Sequence, residues 1–84
     1  MENQESNSVF ITNLPEDFRE QDMIEIFKDA EFKAIKAKLL MDDGRSKCAG
    51  FVDFAGNREA NEAVKFANNL QIQNKRLNVQ LSRK

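Results

Sequence analysis

The sequence predicts one α+β sandwich, with two helices covering one face of a four-stranded antiparallel sheet. Three observations carry that prediction. Apolar residues recur at period two in four segments, they recur at helical spacing in two others, and the segments follow in the order strand, helix, strand, strand, helix, strand. A chain of 84 residues holds one such domain and leaves no room for a second core.

The opening residues are polar and without period, so residues 1–7 are expected to form a flexible lead-in and residues 8–84 the folded domain. Val9-Phe10-Ile11-Thr12-Asn13-Leu14 is rich in β-branched and aromatic residues and stops at Pro15, which reads as a short strand ending in a turn. Asp17 stands three residues before Glu20 as a capping pair, and Met23, Ile26, Phe27 and Ala30 continue at helical spacing. Ile35, Ala37 and Leu39 alternate with Lys36, Lys38 and Leu40 in a second strand. The turn residues Asp42-Asp43-Gly44-Arg45-Ser46 follow it, and Cys48 to Phe54 forms a third strand. Asn57 is placed to cap a second helix whose apolar positions are Ala60, Ala63, Val64 and Ala67 and which ends at Asn68-Asn69. Leu77, Val79 and Leu81 alternate with Asn78, Gln80 and Ser82 in the last strand.

Composition excludes several classes of function. The single cysteine forms no internal disulfide, and the absence of histidine removes the zinc-finger ligand sets, so neither metal nor other cofactor is expected. Without histidine, an activated serine or cysteine, or a glycine loop that cradles phosphate, the chain is not expected to be an enzyme. No apolar run is long enough to span a bilayer and the start lacks the pattern of a secretory signal. The expected setting is intracellular, in the nucleus or cytoplasm, without membrane contact and as a monomer. The net charge of −1 hides a division along the chain. Residues 1–31 carry nine acidic groups against two basic ones, or −7, whereas residues 32–84 carry eleven basic against five acidic, or +6. Such a two-sided surface attracts phosphate on one side despite the acidic total.

Strand alternation assigns the faces. Val9, Ile11, Ile35, Ala37, Leu39, Cys48, Gly50, Val52, Phe54, Leu77, Val79 and Leu81 are expected beneath the helices. Phe10, Thr12, Lys36, Lys38, Leu40, Lys47, Ala49, Phe51, Asp53, Asn78, Gln80 and Ser82 then fall on the open face. A phenylalanine on a solvated face forgoes the burial it would have in the core, so Phe10 and Phe51 stand out there. Flat apolar rings flanked by Lys36, Lys38 and Lys47 suit nucleic-acid bases and their phosphates, since each stacked base contributes roughly 1–3 kcal/mol. Packing of the rings under a chain terminus or against a partner protein is the competing reading.

These segments resemble the RNA recognition motif family over nearly the whole chain. Val9-Phe10-Ile11-Thr12-Asn13-Leu14 fits the family's hexamer at every position. Lys47-Cys48-Ala49-Gly50-Phe51-Val52-Asp53-Phe54 fits its octamer except at Cys48, where the family usually has glycine, and at Ala49, where it usually has a third exposed aromatic. Asp22-Met23-Ile24-Glu25-Ile26-Phe27, Asp43-Gly44-Arg45-Ser46-Lys47 and Arg76-Leu77-Asn78-Val79 resemble its first helix, loop and last strand. The resemblance implies a ferredoxin-like βαββαβ fold and single-stranded RNA as partner. Phe10 and Phe51 would stack on adjacent bases, Lys47 would meet phosphate, and Gln80 and Ser82 would bond base edges. With Thr12, Asn13, Lys36, Lys38, Leu40, Arg45, Ala49, Asn78 and Arg83 these residues make up the expected interface. The rival is a protein-binding relative that grips a peptide by the sheet or by the first helix, whose cluster Glu16, Asp17, Glu20, Asp22 and Glu25 would meet a basic segment. That class carries an Arg-any-Phe signature before the last strand, where this chain reads Asn74-Lys75-Arg76-Leu77.

Overall fold

The computed structural model describes residues 7–82 of the chain. Its elements run β1 (Ser8–Thr12), α1 (Glu20–Asp29), β2 (Ala34–Asp42), β3 (Arg45–Phe54), α2 (Asn57–Ala67), β4 (Gln71–Ile72), β5 (Lys75–Arg76) and β6 (Asn78–Leu81). The main sheet has the order β2-β3-β1-β6, and each neighbouring pair is antiparallel. This is the expected βαββαβ sandwich with a short β4–β5 ribbon inserted before the last strand. Residues 1–6 of the expected lead-in lie outside the described residues. Asn7 is joined to the end of β3, where its carbonyl accepts from the Phe54 N–H at 2.7 Å and its Nδ2 donates to the Phe54 carbonyl at 2.9 Å.

The core lies between the sheet and the helices. Val9, Ile11, Val52, Phe54, Leu77 and Val79 meet Met23 and Phe27 of α1 and Ala60, Ala63 and Ala67 of α2. The alanines keep α2 close to the sheet, and phenylalanines fill the wider gap beside it. Phe27 stands edge-on to Phe54 at 5.1 Å, and Phe32 and Phe66 extend that cluster outward. Each fully buried large apolar side chain contributes about 1.5–3 kcal/mol, so this layer holds the sheet flat side up for the opposite face to be used. Gly50 is required by close approach, because a Cβ there would stand 2.6 Å from the Lys38 carbonyl oxygen and 3.0 Å from Met23 Cε.

Several local expectations are corrected. Ile35 does not face the core but is 63% exposed. The pairing of β2 with β3 shifts between Ala34 and Lys36, so Ile35 is the extra residue of a bulge, and Ala34 takes the inward place opposite Phe54. Ala49 is not exposed as its open-face position implied, being only 8% accessible, yet it stands outside the core cluster. A lone methyl on an interior strand sits below the level of its longer neighbours. The capping of α1 is displaced as well: Arg19 is the N-cap and Asp22, not Glu20, reaches back to accept its N–H at 2.8 Å. Gly56 is the N-cap of α2 and Asn57 its first residue. The turn after β2 narrows to Asp43 and Gly44, whose φ values of 55° and 78° give the left-handed pair a two-residue hairpin needs. Leu77 is buried ahead of β6 rather than within it, donating to the Leu70 carbonyl at 2.9 Å.

Candidate nucleic-acid interface

The strand register sets the open face in rows. Phe10 of β1 lies opposite Phe51 of β3 on one side and Gln80 of β6 on the other, while Lys38 of β2 lies opposite Phe51. Lys38, Phe51, Phe10 and Gln80 therefore stand abreast, and at about 4.8 Å between strands the row spans roughly 14 Å. The two rings are 4.9 Å apart between centroids and inclined by 34°. They pack on each other and are half-buried.

A second row holds Lys36, Asp53 and Ser8, with Ser82 beside it through the Ser82 N–H to the Ser8 carbonyl at 2.9 Å. A third places Thr12 between Ala49 and Asn78. Two hollows flank the rings. One of about 350 Å³ is lined in part by Ser8, Lys36, Lys38, Leu40, Phe51 and Asp53, and the other, of about 280 Å³, by Phe10, Phe51, Gln80, Leu81 and Ser82. Lys36, Lys38, Lys47, Asn78 and Gln80 are exposed, whereas Thr12, Leu40 and Ser82 are half-buried. Apolar platforms of this kind, edged with ammonium groups and amides, suit planar anionic chains.

The structure gathers most of the expected interface but not all of it. Asn13, just past the end of β1, takes a left-handed conformation, φ 65°, and its Nδ2 donates to the Arg76 carbonyl at 2.9 Å. Arg45 lines a separate hollow of about 540 Å³ together with Arg19, Glu16 and Met41. Arg83 lies outside the described residues. Two features escaped the sequence reading. Asp53, which alternation placed on the open face but which was left out of the expected interface, lines the hollow beside Phe51 and accepts a hydrogen bond from the Ser8 hydroxyl on Oδ1. The carboxylates of α1 are also engaged within the fold. Glu20 accepts the Leu39 N–H at 3.0 Å, capping a backbone donor of the edge strand β2, and Asp17 is approached by Gln73 Nε2 at 3.4 Å.

The comparisons agree with this geometry. The RRM of RNA15 is 25% identical with a TM-score of 0.84, over 93% of this chain and 91% of that one. RNA recognition domains 1 and 2 of Sex-lethal from Drosophila melanogaster are 26% identical with a TM-score of 0.83, over 93% of this chain and 50% of that one. The Rna15 RRM with bound RNA (GU) is 25% identical with a TM-score of 0.81, over 92% of this chain and 83% of that one. The family model of the RNA recognition motif matches residues 9–78. The chain belongs to the RNA recognition motif family.

Proposed function

We propose that this domain binds single-stranded RNA across the open face of its sheet, as one module of a larger RNA-processing or RNA-regulating protein. Phe10 and Phe51 each stack a base, Lys36, Lys38 and Lys47 meet phosphates, and Asn78, Gln80 and Ser82 bond base edges. Arg45 and Arg83 extend the phosphate contacts beyond the sheet. The observation that carries this reading is the ring pair, 4.9 Å apart and abreast of Lys38 and Gln80 in the middle of the sheet. Solved relatives described as RNA complexes, those of Rna15 and of the Sex-lethal protein, support it. A docking role for the acidic first helix has less in its favour, since Asp17, Glu20 and Asp22 already accept hydrogen bonds inside the domain. Two stacked bases and a few phosphates give modest affinity, which linkage to further modules would raise.

The test is fluorescence anisotropy with labelled single-stranded RNA hexamers of mixed base content. The domain should bind them in the micromolar range or weaker, and Phe10→Ala combined with Phe51→Ala should abolish binding while circular dichroism shows an intact fold. Undiminished binding by that double variant would remove the sheet from the interface.

A further inference from the structure

Among the described residues Asp53 is the one acidic side chain lining the hollow beside Phe51, amid Lys36 and Lys38. On a face meant for a polyanion, a carboxylate repels phosphate, so its place there calls for a ligand group that donates. Its Oδ1 accepts from the Ser8 hydroxyl, which fixes the carboxylate's orientation from the neighbouring strand. Among the described residues no donor meets Oδ2. A base stacked on Phe51 would bring its edge over this hollow, where the oriented acceptor and two ammonium groups are already in place.

We infer that Asp53 makes this hollow selective for a keto base, one whose edge carries a ring N–H beside a carbonyl, as guanine and uracil do. The ring N–H donates to the carboxylate and the adjacent carbonyl oxygen accepts from Lys36 or Lys38. Adenine and cytosine present a ring-nitrogen lone pair at the corresponding place, which faces the carboxylate with like polarity, and an amino donor where the keto bases offer the carbonyl that the lysines need, so the two cannot be met together. The inference rests on the RNA-binding reading above. If Asp53 served only to tie β3 to β1 through Ser8, it would alter stability and leave base preference untouched.

Affinities of the wild-type domain, Asp53→Asn and Asp53→Ala for hexamers of uridine, cytidine and adenosine decide the matter. A cytidine hexamer with one central guanosine is added as the guanine arm. The wild type should prefer the uridine hexamer, the guanosine-bearing hexamer or both over the cytidine and adenosine hexamers by about tenfold. Methylation of uridine N3 or guanosine N1, which removes the ring N–H, should erase the preference in the corresponding arm and so tell the two bases apart. In Asp53→Asn and Asp53→Ala the preference should fall to within about twofold, while the cytidine hexamer binds as well as before or better because a repelling charge is gone. Ser8→Ala, which keeps the carboxylate, should retain part of the preference and so separates base reading from a general loss of fold. Equal wild-type affinity for all hexamers, or a preference that survives both methylation and Asp53→Ala, overturns the inference while RNA binding itself stands. Absence of binding to every hexamer overturns both readings.

Discussion

Cys48 carries a side chain through a left-handed stretch of backbone, φ 58°, at the place where β3 slips against β2 between the Leu39–Gly50 and Met41–Ser46 pairs. That conformation brings Cβ against the carbonyl oxygen and costs an L-residue about 1–2 kcal/mol, which glycine avoids. The glycine usual at this point of the octamer therefore has a backbone cause, although strand alternation alone reads Cys48 as an ordinary inward residue. Cys48→Gly should raise stability by about 1 kcal/mol in urea unfolding, less whatever contact the half-buried thiol makes with the core, while Cys48→Ala, which keeps Cβ, should give no gain. A glycine variant less stable than the alanine variant would refute the strain. The ring residues divide by face in the same way. Phe10→Ala and Phe51→Ala should each weaken RNA binding by about 1–3 kcal/mol and lower stability by only about 1 kcal/mol, the worth of their mutual contact. Phe54→Ala, fully buried, should cost roughly 3–5 kcal/mol of stability. Similar unfolding losses from all three would mean that Phe10 and Phe51 are core residues.

At the scale of elements, the period-two and helical patterns place every main strand and both helices within a few residues, because each buries one apolar face and exposes a polar one. The irregularities are harder to read. A bulge at Ile35 adds one residue without disturbing the apolar composition around it, so alternation continued through it assigns the wrong face. The β4–β5 ribbon turns through Gln73 and Asn74, φ 59° and 106°, and glutamine is no turn signal. The first helix starts at Arg19, a residue that no cap preference favours, with Asp22 accepting its N–H, and the second starts at Gly56, one residue ahead of Asn57. What holds β2 on β3 is legible at Gly50, where the Lys38 carbonyl leaves no room for a methyl. Gly50→Ala should lose about 1–3 kcal/mol and, by moving Lys38 away from Phe51, weaken RNA binding as well. Stability equal to wild type in urea would show that the two strands separate freely. The free edge of β2 gives a second test: Glu20→Ala removes the acceptor of the Leu39 N–H and should cost about 1 kcal/mol without altering RNA affinity.

Lys36, Lys38 and Lys47 stand exposed on the main sheet, and Glu20, Asp22, Glu25 and Asp29 belong to the first helix. RNA affinity should fall with rising salt along a shallow slope, about 0.7 per phosphate contact for a single strand, and Lys38→Ala should flatten it where Glu20→Ala does not. A binding constant indifferent to salt would point to a peptide ligand. Sheet-face binding, on which the RNA predictions depend, is tested most directly by an NMR titration of the backbone amides with a pool of short single-stranded RNAs. The expected shifts cluster along the rows of Lys38, Phe51, Phe10 and Gln80 and of Lys36, Asp53 and Ser8, with α1 and α2 unmoved. Shifts confined to the helices, with the sheet silent, would contradict the account.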